Sequence, residues 1–199
     1  METIVDMFLT RLLERVGFER MRSLVYAKTS HEATSFILFG WRNDPRGYCA
    51  MSCNIGVAFE LLASVAHHEA ANFPTPDISM PLHLLKPGGD FTEWQFTDKG
   101  SLTVLEDDIL NDLKQFALPF LNTYSKIVEV RKRLESTPDQ WFVLSPEQRV
   151  TLLAAIQYSQ GEKNEAIRTL DEALTDRKNA LPKKRLPIEL MRKRLLTET

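Results

Sequence analysis

The sequence predicts an α+β protein: a small antiparallel sheet of about five strands packed with helices, then a helical hairpin and a tail helix. Three observations carry this. Ser35-Phe-Ile-Leu-Phe-Gly-Trp41 is an apolar run, Arg42 to Gly47 is a dense turn cluster, and Tyr48 to Val57 alternates strictly. That is the pattern of a β-hairpin, with Cys49, Met51, Cys53, Ile55 and Val57 on one face of its second strand. A stripe at Leu102, Leu105, Ile109, Leu113, Phe116 and Phe120 has helical spacing. From Ser145 onward every signal is helical.

The chain opens with Ile4, Val5, Phe8, Leu9, Leu12, Leu13 and Val16 on one helical face, and Gly17 is the natural stop. Arg22 to Lys28 reads as a short first strand leading into the hairpin, whose first strand is apolar on both faces and therefore central. Phe59, Leu61, Leu62, Val65 and Ala66 suggest a short helix that closes before Pro74 and Pro76. Ile78 to Leu85 reads as an edge or bulged strand, because Pro81 cannot donate to a ladder. Lys86 to Asp90 is a turn, and Phe91 to Phe96 reads as the returning strand.

In the long helix that follows, Thr103 and Glu106 have capping-box spacing, and Pro119 should kink or end it. A further helix fits residues 121–134. Thr137-Pro-Asp-Gln marks a boundary, giving an α+β domain at residues 1–136 and a helical extension at residues 145–199. In the extension, Ser145-Pro146-Glu147 is an N-terminal cap and Gly161 a stop, with a second helix from Lys163 to Leu174 and a last one near Leu186 to Leu196. Ala154, Gly161, Ala166, Leu170 and Ala173 match the small and large positions of one tetratricopeptide unit, so residues 148–176 resemble a single copy of that hairpin.

Composition is that of an ordinary soluble protein. A net charge of −2 disfavours a general nucleic-acid binder. No apolar run reaches the ~20 residues of a membrane span, and no secretory signal opens the chain, so the expected compartment is the cytoplasm. Cys49 and Cys53 lie four positions apart on one strand, roughly 13 Å between Cα atoms, too far for a disulfide or a shared metal. They are expected to be small buried hydrophobes.

No phosphate loop or Gly-x-Ser-x-Gly elbow is present. His68-Glu69-Ala-Ala-Asn72 approaches a metalloprotease helix motif, but Asn72 stands where the second histidine must be. No catalytic residue, cofactor or metal is assigned, and the chain is expected to act by binding, not as an enzyme. Residues 89–114 hold seven acidic and two basic side chains. Asp90, Glu93, Trp94, Glu106, Asp107 and Asp108 are the candidate partner-binding residues, an aromatic anchor among acids. The competing assignments are a sheet tryptophan packed under a helix and a helix N-terminus whose dipole favours acid. Between Arg177 and Arg194 eight basic residues stand against one acid, Glu189, and a solvated face is the favoured reading.

Taken together, the helix ending at Gly17-Phe18, the hairpin running to Cys53-Asn54-Ile55-Gly56-Val57 and the long helix ending in Ala117-Leu118-Pro119-Phe120-Leu121 form a pattern. It resembles the family catalogued as domain of unknown function 4304, over about residues 1–136. The family has no agreed catalytic residues, so none is carried over. The resemblance implies an immunity protein that neutralises a toxin delivered between competing bacterial cells. The expected partner is then a cognate toxin, basic around its site, with neither membrane nor nucleic acid as partner. The rival expectations are a helical adaptor or chaperone using residues 145–196, and an enzyme whose site is scattered in sequence.

Overall fold

The computed structural model of the chain describes residues 2–62, 75–91, 93–136, 143–176 and 181–197. The α+β expectation holds: these residues form a six-stranded antiparallel sheet and eight α-helices. They group into two compact units, Met1–Val57 with Ser79–Ser125 and Ala58–Ile78 with Lys126–Thr199. The division falls after Ser125; the expected joint at 137–140 lies outside the described residues.

In the first unit, α1 (Glu2–Glu14) buries Val5, Phe8, Leu9, Leu12 and Leu13. It stops as its glycine requires. Gly17 takes φ +81°, its N–H reaches the Glu14 carbonyl at 3.1 Å, and the Phe18 N–H reaches the Leu13 carbonyl at 3.0 Å. The strands are β1 (Glu19–Arg22), β2 (Val25–Thr29), β3 (Ala33–Asn43), β4 (Cys49–Phe59), β5 (Ile78–Pro81) and β6 (Trp94–Phe96). Their order is β1-β2-β3-β4-β5, and β6 also pairs with β4, along Cys49–Met51. The hairpin β3–β4 is therefore central, as its two-sided apolar pattern implies. Phe36 and Ile37, adjacent on β3 and so on opposite faces, are both fully buried.

Three expectations need correction. The single strand at residues 22–28 is two strands joined at Ser23–Leu24, where Leu24 adopts φ +59°. The strand at 78–85 ends at Pro81 and continues as a 3₁₀ turn, Leu82–Leu85, because proline removes the donor a ladder needs. The strand at 91–96 shrinks to β6.

The long helix is also segmented, into α2 (Lys99–Val104), α3 (Glu106–Asp112), a π turn (Leu113–Ala117) and α4 (Leu118–Tyr124). Its capping box is Asp98 with Ser101, not Thr103 with Glu106: the Ser101 N–H donates to Asp98 Oδ1 at 2.8 Å. Thr103 instead donates its hydroxyl to the Lys99 carbonyl at 2.9 Å. Pro119 has no N–H for the carbonyl four residues back. The wider turn just before it, in which the Leu118 N–H bonds the Leu113 carbonyl, absorbs the mismatch without ending the helix.

The second unit contains α5 (Ile127–Ser136), α6 (Pro146–Ser159), α7 (Lys163–Asp176) and α8 (Pro182–Thr197). α5, expected in the first domain, packs on α6. Ser145 caps α6 as predicted, and it does so in a reciprocal box with Gln148. Ala154, Ala166, Leu170 and Ala173 are buried between the antiparallel α6 and α7. The side-chain oxygen of buried Gln157 accepts the Thr169 hydroxyl at 2.9 Å, which satisfies that acceptor inside the seam. Arg131 of α5 forks onto Glu162 at the α6–α7 turn, 2.7 Å away.

Gly161 makes that turn. It has φ +84°, and a Cβ there would meet nothing within 4 Å, so the demand for glycine is purely conformational. Gly161→Ala should cost about 1 kcal/mol and lower the melting temperature by about 3 °C, measured by thermal denaturation. Cys49 and Cys53 are both free and buried, and burial pushes the Cys53 thiol up. Both should react slowly with a thiol reagent in the native state and fast in denaturant.

Candidate functional site

Among the sequence-predicted residues, Trp94 is placed by β6 opposite Met51 of β4. Its ring lies 6.2 Å from that of Phe39, which in turn meets Tyr26 edge-on at 6.3 Å. Half-buried in this row, Trp94 serves mainly as a sheet tryptophan. Glu93, beside it, is bound by Arg42 at 2.9 Å. Arg42 also holds Asp44 at 2.8 Å, and Arg46 holds the same carboxylate at 2.8 Å. The hydrogen bonds from Arg46 and Arg42 keep the Asp44 carboxyl far below the usual range. The end of the central hairpin is thus a mixed-charge network rather than an acidic patch.

Glu106 opens α3, where the helix dipole favours a negative charge, and its carboxylate is gripped by Arg11, at 2.7 Å, and Arg15 of α1. Asp112, at the other end of α3, binds Lys86 Nζ at 2.8 Å. Glu93 and Glu106 are therefore neutralised by different elements and leave little net charge to offer. Asp90, Asp107 and Asp108 differ: they are exposed and make no ion pair with a described residue.

Sequence reasoning missed two exposed apolar residues on the same segments. Phe91 is 64% exposed and stands edge-on to His83, with ring centroids 5.1 Å apart. The 3₁₀ turn carrying His83 packs on the π turn, and Lys86 ties the same loop to Asp112. Asp108 lies one helical turn from Asp112 on the same face of α3. Val104, 79% exposed, ends α2, two residues before Glu106. Pro87-Gly88-Gly89 was the available signal: a turn there ends the strand pattern and leaves Phe91 without a sheet partner.

A second constellation was also missed. Asp6 of α1 is 7% exposed. Its Oδ1 accepts the Leu24 N–H at 3.0 Å and the Tyr26 hydroxyl at 2.8 Å, and its Oδ2 lies 2.5 Å from Arg20. Thr10 donates to the Asp6 carbonyl at 2.7 Å. Burial alone would raise the Asp6 carboxyl, but hydrogen bonds from Arg20, the Leu24 N–H and Tyr26 outweigh it and hold the group below its ordinary value. Burial, with Asp6 beside it, pushes the Tyr26 hydroxyl up. A carboxylate so engaged is a weak base and a strong structural acceptor.

Among the described residues no cluster of three or more His, Cys, Asp or Glu is arranged for a metal, and no helix is long and apolar enough to cross a membrane. His67 and His68 lie outside the described residues. Comparison of this chain with protein-family models, curated proteins and solved structures returned no match.

Asp6→Ala removes the acceptor of a buried N–H and should cost about 2 kcal/mol at neutral pH in urea denaturation. Because the folded value is depressed, the Asp6 contribution is full above the unfolded value near 4 and is lost as pH falls through the lower folded value. Asp6→Asn should therefore lose less stability than wild type between pH 5 and pH 2, a window of about three units.

Proposed function

We propose that this chain is a non-enzymatic, cytoplasmic binding protein, and that it acts as an immunity protein against a secreted bacterial effector toxin. The immunity role rests on the residue pattern of 1–136 that resembles the domain of unknown function 4304 family. The observation that carries the binding surface is that the free carboxylates stand beside exposed apolar residues in the chain, Asp90 next to Phe91 and the pair Asp107 and Asp108 just after Val104. Exposed aromatic and aliphatic groups rimmed by unpaired charge of one sign suit a protein partner of opposite sign. A toxin that attacks nucleic acid is basic around its site, and docking there would both neutralise and cover it.

Within the candidate set the roles then divide. Asp107 and Asp108 steer the encounter, Phe91 supplies the apolar contact, and Glu93, Trp94 and Glu106 hold the surface in shape through Arg42, Phe39 and the α1 arginines. The fitting experiment pairs this chain with the effector encoded beside its gene, in a growth-rescue assay and in binding kinetics.

Asp107→Lys with Asp108→Lys should slow association severalfold and flatten its salt dependence. Phe91→Ala should mainly speed dissociation, by about tenfold or more if the ring is desolvated in the complex. Trp94→Ala should act through stability, lowering the melting temperature. Full growth rescue and unchanged kinetics with both surface variants would overturn the assignment of this surface.

A further inference from the structure

The last helix carries apolar residues on two opposite sides. Ile188, Met191 and Leu195 are buried against α6 and α7. On the other side Lys183, Leu186, Leu190 and Lys193 follow one another at spacings of three, four and three, so they form a single straight stripe. Leu186 is 51% exposed and Leu190 57%. The outermost helix of a helical stack ordinarily turns a polar face outward, and two leucines in the middle of that face run against the rule.

The charges around them divide between arginines and lysines. Arg131, Arg168, Arg185 and Arg192 each hold a carboxylate: Glu162, Glu165, Glu189 and Asp171 respectively. Lys183 and Lys193 hold none among the described residues. From residue 182 to 197 there are six basic side chains and one acid, Glu189, which Arg185 already occupies.

We infer that this stripe is a docking surface for an acidic amphipathic α-helix of a partner protein. The inference is independent of the surface assigned to the first unit. Two leucines one turn apart accept a matching apolar pair on a facing helix, the usual way one helix reads another. The lysines at the two ends lie ten residues apart, about 15 Å along the axis at 1.5 Å per residue. Carboxylates at the same spacing on the partner would meet both. A second copy of this chain does not suit the stripe: antiparallel pairing about a two-fold axis would set Lys183 against Lys193 of the other copy. A bilayer does not suit it either, since the apolar stripe is one turn long and is closed at each end by a charge.

The test uses the full chain and a labelled alanine-rich peptide of about 20 residues bearing Glu, Leu, Leu and Glu at the same three-four-three spacing. Fluorescence anisotropy at low salt should show saturable binding, with the Lys version of the peptide bound at least tenfold more weakly. Lys183→Glu with Lys193→Glu should reverse that order, so that the Lys peptide is preferred. Leu186→Ser with Leu190→Ser should lose both peptides while its thermal melting falls only slightly, since about half of each side chain already faces solvent. Several results would overturn the inference. Indifference of wild type to the sign of the peptide is one, and binding untouched by either pair of substitutions is another. A dimer in sedimentation that the serine pair converts to monomer would assign the stripe to a second copy. Phosphatidylglycerol vesicles that displace the peptide would assign it to a membrane.

Discussion

Asp6 is the contact on which the first unit depends. One buried carboxylate reaches from α1 to the Leu24 N–H, the Tyr26 hydroxyl and the Arg20 guanidinium. It thereby stabilises a leucine at φ +59°, a conformation that is costly for a residue with a branched side chain. It also fixes where β1 ends and β2 begins. Because β2 pairs with β3 residue by residue, Tyr26 with Ile37 and Ala27 with Phe36, the placement of that turn propagates into the register of the central hairpin. Helix and sheet are thus locked by charge-assisted hydrogen bonds as well as by the apolar seam of Leu9, Leu12 and Leu13.

The acidic segment shows how little a local charge count says about a surface. Seven acids crowd residues 89–114, yet Glu93, Glu106 and Asp112 are each held by cations of the same unit. Asp98 is taken up in the cap of α2, and what remains outward is a smaller set, Asp90, Asp107 and Asp108, with exposed Phe91 and Val104 on the same segments. The basic tail behaves in the opposite way. Arg185 and Arg192 are engaged, and two of the lysines that hold no described carboxylate, Lys183 and Lys193, bracket exposed leucines.

The elements that could be read from sequence are those whose instructions are local. α1 with its Gly17 stop, the alternating β4, and the Ser145 and Gly161 ends of α6 each carry their own signal within a few residues. The elements misread depend on distant partners. Leu24 turns because of an acceptor 18 residues earlier, and Glu106 is neutralised by arginines 95 and 91 residues away. Asp98 lies just before the apolar stripe and outcompetes the Thr103–Glu106 spacing, because an aspartate can take the N-cap position while its helix is still only one turn long. The candidate site was legible as a segment, but which of its carboxylates stay free was not, since that depends on α1 and on the hairpin end.

The π turn at Leu113–Ala117 has a consequence for phase. Ile109, Leu113 and Ala117 are all fully buried, each four residues from the last. An ideal α-helix advances 100° per residue, so successive steps of four drift around the axis by about 40° each. The wider turn cancels much of that drift and keeps the three side chains in line. It works as a local insertion that the helix retains and the core uses. Regular α winding through the same residues would instead rotate Phe120 and Leu121 by up to about 100° out of the positions they now fill. The apolar face of α4 is therefore correct only in combination with the irregularity that precedes it.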